Sequence, residues 1–172
     1  MAEAVPGLHP GLRVERLTEG TWRDYRAVRL AALIDSPRAF WTTYAEAAAR
    51  SDDDWRAYAA SGPATWLAWD LDRPVGTAGL WHGGDQPGHE ACLVGMWVSG
   101  GSRGSGIAAD VVDAAVAHAQ AEGRTRVVLD VARENTRALR FYLRRGFVLT
   151  GETGVMPWDP TCVEERMALD LT

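Results

Sequence analysis

The sequence predicts an α+β domain built on one mixed, mostly antiparallel sheet of about six or seven strands, flanked by about four helices. Three observations carry this expectation. The 172 residues suffice for one domain with a sizeable core and fall short of two domains plus a linker. Three strand-like segments in the middle of the chain follow one another with only turns between them, the pattern of an antiparallel meander. Helix and strand then alternate before two closing strands.

Leu12 to Leu17 alternates apolar and charged residues as a half-buried strand does. Thr21 is placed to cap a helix whose apolar positions Tyr25, Val28, Leu30, Ala31 and Ile34 recur at helical spacing. Ser36-Pro37 stops it, because the residue before a proline avoids the helical region. Phe40 to Ala60 reads as further helix, broken at Ser51-Asp52-Asp53-Asp54, whose carboxylates suit a cap and first turn rather than a metal. Strands follow at Thr65 to Leu71, at Val75 to Trp81 after the turn signal Asp72-Arg73-Pro74, and at Glu90 to Val98 after the loop Gly83 to Gly88. A helix from about Gly106 to Glu122 with Gly123 as C-cap, a strand Arg126 to Ala132, and a helix near Thr136 to Arg145 ending at Gly146 come next. Strands Phe147 to Thr150 and Val163 to Leu171 close the order. Residues 1–172 read as one domain, with 1–11 a flexible N-terminal segment.

Composition narrows the function. Hydrophobic residues make up 47% and charged residues 24%, the balance of a soluble globular chain. All 18 basic residues are Arg, against 23 acidic ones, for a net charge of -5. That excess argues against a nucleic-acid partner, which usually shows as a basic stripe, and mildly favours a cationic substrate. The opening MAEAVPGLHPGLRVERL has neither a basic n-region nor a continuous apolar h-region, and no stretch approaches the ~20 apolar residues of a membrane span. A cytoplasmic protein without a membrane partner is expected. Cys92 and Cys162 lack metal-ligand spacing, and His82, Asp85 and His89 read as solvated polar residues in or beside the loop Gly83 to Gly88, so no metal is expected.

The chemistry-bearing stretch is GSRGSGIAAD, Gly101 to Asp110, which opens a helix. Glycines there clear Cβ atoms from the chain, and the free N–H groups of a helix start favour phosphate. A nucleoside-triphosphate loop would need a Lys, which the chain lacks. Gly104, Gly106 and Ala109 satisfy the dinucleotide spacing G-x-G-x-x-A, with Asp130 where a ribose-binding acid could sit. That fingerprint normally opens a doubly wound parallel sheet, whereas antiparallel strands precede it here.

Arg103-Gly104-Ser105-Gly106-Ile107-Ala108 fits R/Q-x-x-G-x-G/A, and Asn135, Ala138, Phe141, Tyr142, Gly146 and Phe147 fit N-x-x-A-x-x-[FY]-Y-x-x-x-G-F. With both motifs at the proper separation, the chain resembles the GNAT superfamily of acetyl-CoA-dependent N-acetyltransferases over nearly its whole length. The resemblance implies a GNAT fold in which strands Glu90-Val98 and Arg126-Ala132 run parallel and splay. Met96, Trp97 and Val98 would then offer backbone groups to the pantetheine arm of acetyl-CoA (coenzyme A). Arg103, Gly104, Ser105, Gly106, Ile107, Ala108 and Ala109 would surround its pyrophosphate, mostly through backbone amides.

By the same resemblance Asn135 binds the pantetheine arm and Tyr142 is the general acid for the departing thiolate. Read by spacing alone, Asn135 is a helix N-cap and Tyr142 a core residue. For the base, Asp130 ranks first, standing five residues before Asn135 where ribosomal-type N-terminal acetyltransferases carry a Glu. Glu90, on the strand face of Cys92, is another candidate. Cys92 occupies the position at which the histone-acetylating branch has its Glu, so a small-molecule amine is preferred over a protein as acceptor. Phe40, Trp41 and Trp158 fall where loops could flank that acceptor, while Trp22, Trp55, Trp66, Trp69, Trp81 and Trp97 read as core. Direct transfer in a ternary complex and a homodimer are expected. The rival readings are an acetyltransferase for protein or peptide N-terminal amines and a non-catalytic acyl-CoA sensor.

Overall fold

The computed structural model describes residues 11–172. Residues 1–10 of the expected flexible segment lie outside the described residues. Among the described residues, seven strands form one sheet in the order β1-β2-β3-β4-β5-β7-β6. They are β1 (Leu12–Arg16), β2 (Ala64–Asp70), β3 (Arg73–Trp81), β4 (Glu90–Val98), β5 (Arg126–Ala132), β6 (Val148–Met156) and β7 (Asp159–Asp170). Every neighbouring pair is antiparallel except β4 and β5, which run parallel. Five α-helices accompany them: α1 (Trp22–Asp35), α2 (Tyr44–Ala48), α3 (Asp52–Ser61), α4 (Ile107–Ala121) and α5 (Thr136–Arg144). None of these helices is long and apolar enough to cross a membrane.

Helices pack on both faces of the sheet. On one, Val111, Val112 and Ala115 of α4 and Tyr142 of α5 meet the inward residues Leu93, Val127, Leu129 and Met167. On the other, Trp22, Tyr25 and Val28 of α1 and Trp55 of α3 pack with Leu67 and Trp69 of β2, and Trp97 leans on the same cluster. The acidic run serves as the cap its chemistry suggested: the Ser51 side chain accepts from the Asp54 N–H at 3.2 Å, and the Asp54 carboxylate accepts from the Ser51 N–H at 2.8 Å.

Four local expectations are corrected. The buried face of α1 is Trp22, Tyr25, Val28, Ala32 and Leu33, while Ile34 stands exposed. The phase is set by Trp22 and Tyr25, the latter stacked on Tyr58 and set edge-on to Trp55. Thr21 occupies the N-cap position, but its hydroxyl bonds the backbone of Thr18 instead of capping. The last two strands are longer than their apolar runs. A register shift between Leu149 and Thr153, with Gly151 at φ +87°, lets β6 bend and carry on to Met156. Trp158 thereby sits in a tight hairpin turn, and Cys162 is a buried strand residue. Trp81 is exposed at the end of β3 rather than core.

Candidate active site

Pairing between β4 and β5 covers only Glu90 with Arg126, Ala91 with Val127 and Cys92 with Val128, after which the two strands part. A bulge in β4 accompanies the parting. Thr77 faces Trp97 and Gly79 faces Val94, so Ala78 stands opposite two residues, Gly95 and Met96. Gly95 takes φ +62°, which a side chain would strain. Met96, Trp97 and Val98 lie on the parted end, where the sheet has backbone groups without a strand partner on the β5 side.

β4 runs into the glycine loop. Gly104 (φ +81°) and Gly106 (φ +93°, the N-cap of α4) both use the left-handed region, and a Cβ at either would meet nothing within 4 Å. Their place is therefore dictated by backbone shape and by open space over the loop. The N–H groups of Gly104, Gly106 and Ala108 bond no described residue. Ala109 is different, since its N–H goes to the Gly106 carbonyl at 3.0 Å. The Ser105 hydroxyl is an internal staple, donating to the Ser102 carbonyl at 2.7 Å and accepting from the Ile107 N–H at 3.4 Å. Ile107 is fully buried and pegs α4 into the core. A loop of left-handed glycines with unpaired amides at a helix start is a site for a phosphate oxyanion, so these residues fit a pyrophosphate.

Arg103 does not project as a free surface charge. Its Nε donates to the Val98 carbonyl at 3.0 Å and its Nη2 to Asp35 Oδ2 at 2.8 Å. The same Asp35 oxygen accepts from the Trp97 indole at 3.0 Å and from the Ser36 hydroxyl at 2.8 Å. The Trp97 bond first, then those of Ser36 and Arg103, hold the carboxyl down at about 2. The C-terminal end of α1, the last residues of β4 and the loop are thus tied to one carboxylate.

Cys92 is the last residue of β4 paired with β5, and Tyr142 lies close enough to it to feel its charge. The Tyr142 ring packs edge-on against Phe141 and Phe147, with centroids 5.2 and 5.6 Å away, and its hydroxyl bonds no described residue. Burial, then the neighbouring Cys92, pushes the phenol pKa up, so it stays protonated at neutral pH. Burial, then Asp130, pushes the Cys92 thiol up to about 12. Asn135 caps α5, its Oδ1 accepting from the Ala138 N–H at 3.2 Å.

On the sheet face away from α4 and α5, a cleft of about 910 Å³ is lined by Trp41, Glu90, Asp130, Glu152, Glu164 and Arg166, among others. Asp130 faces Arg166 Nη1, 3.4 Å from each oxygen, and burial raises its pKa against that cation. Glu90 lies 3.8 Å from Arg126 Nε. Glu164, absent from the residues the motifs single out, is the most enclosed of these acids at 4% exposed. It accepts from the Trp41 indole at 2.9 Å, and burial raises its pKa. The sequence held only half of the signal: the run Val163-Glu164-Glu165-Arg166-Met167 alternates within a strand, so Glu164 and Arg166 share one face, but the interior place of β7 that buries Glu164 comes from the sheet order.

Phe40, Trp41 and Trp158 do come together. Trp158 Nε1 donates to the Phe40 carbonyl at 3.0 Å, while Trp41 reaches back to Glu164. Arg38, ion-paired with Glu134 and Asp159, completes a clasp between the segment after α1 and the β6–β7 hairpin. Among the described residues no group of three or more His, Cys, Asp or Glu side chains could hold a metal ion.

No curated protein is similar enough to count as a match. Among solved structures, a GCN5-related N-acetyltransferase from Kribbella flavida is 22% identical, with 94% of this chain and 98% of that one covered and a TM-score of 0.74. The structure of yncA from Salmonella typhimurium, solved with its cofactor acetyl-CoA, is 16% identical over 94% of this chain and 95% of that one, at 0.76. A ribosomal-protein-alanine N-acetyltransferase from Brucella melitensis is 18% identical over 92% and 99%, at 0.74. These likenesses are of fold. The model for the acetyltransferase (GNAT) family matches residues 19–147, and with that match the chain belongs to the GNAT family of acetyltransferases.

Proposed function

We propose that the protein transfers the acetyl group of acetyl-CoA to the primary amine of a small molecule by direct attack. The observation that carries this reading is the fork itself: β4 and β5 part after Cys92 and Val128, between the glycine cradle at one end and an acid-lined cleft on the flanking face. The amides of Gly104, Gly106 and Ala108 hold the pyrophosphate, and the parted edge at Met96 to Val98 takes the pantetheine arm as a further strand would. Asn135, whose Oδ1 is committed to the helix, offers its amide NH₂ to that arm.

In the reaction the amine nitrogen bonds to the thioester carbonyl carbon and the carbon–sulfur bond breaks. Asp130 or its neighbour Glu164 takes the ammonium or amine proton, and burial, which raises the pKa of both, makes each a stronger base than an exposed carboxylate. A backbone N–H at the bulged end of β4 stabilises the oxygen as it gains charge. Tyr142 returns a proton to the departing sulfur. The aromatic wall of Trp41 and the surplus of carboxylates favour a cationic or amphipathic amine. The test is a thiol-release assay with acetyl-CoA across pooled amine classes, including peptides. Turnover with small amines supports the reading, and stabilisation by acetyl-CoA with no transfer to any amine overturns it in favour of a sensor.

A second reading is favoured by one observation. Asp130 stands five residues before Asn135, at the position of the acid in ribosomal-type N-terminal acetyltransferases, and it faces the cleft. Turnover of peptides at higher kcat/KM than any small amine would establish it.

A further inference from the structure

Arg29 is left over by everything described so far. It lies on the sheet-facing side of α1, with its guanidinium 4.7 Å over the Phe40 ring. Its Nη1 would stand 3.3 Å from a Cβ placed on Gly95, so it rests against the β4 bulge. That nitrogen is buried and bonds no described residue, and no described carboxylate lies within 4.0 Å of the guanidinium. The arginines around the cleft and loop differ: Arg103 has Asp35, Arg126 has Glu90, and Arg166 has Asp130. Where Arg124 and Arg145 leave a buried Nε unbonded, another nitrogen of the same group is bonded, to the Gly88 carbonyl and to Asp113. The residue is half-buried, yet this one nitrogen is cut off from water with no acceptor, and a buried donor left unbonded is costly enough that a ligand oxygen would be favoured there.

We infer that Arg29 is the anchor for a carboxylate carried by the acceptor, which makes the acceptor class amino acids and other amines that bear an acid group. The inference rests on the acetyl-transfer reading and deepens it. Three features point to the acceptor rather than to the coenzyme phosphates. Arg29 stands six residues before Asp35, which meets the glycine loop through Arg103, so it is about 9 Å back along the helix axis from that end. It stacks on Phe40, whose carbonyl is held by Trp158 and whose chain neighbour Trp41 lines the acid cleft. Gly95 keeps the bulge bare beside Nη1. A guanidinium matches a carboxylate with two parallel hydrogen bonds, while Asp130 and Glu164 suit the amine end of the same molecule.

The test uses matched pairs: N-acetyl amino acids against their amides for binding by calorimetry, and amino acids against the corresponding decarboxylated amines for turnover with acetyl-CoA. Wild-type protein is expected to favour the acid member at least tenfold in both. Arg29→Gln should abolish that preference with the KM for acetyl-CoA unchanged, and Arg29→Lys should keep part of it. Thermal melting confirms that the variants fold; if Arg29→Gln does not, Gly95→Ala, which crowds Nη1, should lower the preference instead. Equal handling of acid and amide by the wild type, or a preference untouched in a folded variant, overturns the inference. Acid-selective binding without acetyl transfer keeps the anchor and refutes the transferase reading. Transfer without acid selectivity does the reverse.

Discussion

The Trp41 indole donates to the Glu164 carboxylate across 2.9 Å, so a residue of the loop after α1 is tied to the most enclosed acid of the cleft. Glu164 sits where burial penalises its charged form, and its pKa rises. A carboxyl with a raised folded pKa contributes stability below its unfolded pKa, and that contribution is lost as pH rises through the folded value. The ionised form is therefore the one the fold favours less. Glu164→Gln keeps an acceptor for Trp41 and removes the charge, so we predict a Tm at pH 7.5 no lower than wild type. If Glu164 is the base, kcat should fall by about 10²-fold. Scanning calorimetry with steady-state kinetics checks both, and a lowered Tm would contradict the first.

Tyr142→Phe separates acid catalysis from packing. The ring is held by Phe141 and Phe147, and phenylalanine preserves both contacts. The hydroxyl has no described partner to lose, so the Tm should stay within about 2 °C, the shift expected for less than about 1 kcal/mol in a domain of this size. The kcat should drop by about 10²-fold with the KM for acetyl-CoA within a factor of about two. Unchanged turnover at saturating substrate would remove Tyr142 from the acid role.

How much of this was legible in the sequence depends on the range of the interaction. The shape of the glycine loop was readable because Gly104 and Gly106 report a backbone need at their own positions, φ near +81° and +93°. The element order was readable because β3, β4 and α4 each carry their own periodicity or turn signals. The clasp was not: Trp41 meets Glu164 and Trp158 meets Phe40 across 123 and 118 residues, and no local pattern encodes such a bond. The same limit misplaced the buried face of α1. Its apolar residues permit more than one helical phase, and contacts with Trp55 and Tyr58 of α3 choose between them. Glu164 escaped because its burial depends on which strand neighbours β7, and that is topology rather than motif.

Cys92 lies nearest the fork vertex of the two cysteines, yet its thiol is pushed up to about 12 by burial and then by Asp130. At neutral pH almost none of it is thiolate, the nucleophilic form. Cys92→Ala should therefore retain turnover within a factor of about three, and no acetylated enzyme should accumulate in a rapid-quench mass spectrum. A covalent acetyl group on Cys92 within the first turnover would defeat direct transfer.

Asp35 is the common acceptor for Trp97, Arg103 and Ser36, and it joins the end of α1 to the glycine loop. Removing it releases the Arg103 guanidinium, which still holds the Val98 carbonyl through Nε. Asp35→Ala should raise the KM for acetyl-CoA by about tenfold, an interaction of the size expected for a charge-assisted hydrogen bond, while kcat at saturation falls less. Asp35→Glu should recover part of the loss if the carboxylate positions the loop. The pH dependence has the opposite sign to that of Glu164. With its pKa lowered to about 2, Asp35 contributes stability that is present above its unfolded pKa of roughly 4 and is lost as pH falls towards 2. The carboxylate is largely open to solvent, so screening keeps that contribution small. Acid titration of wild type against Asp35→Asn should accordingly show the two Tm curves drawing together below about pH 4, and curves that stay parallel to pH 2 would refute the ionised clamp.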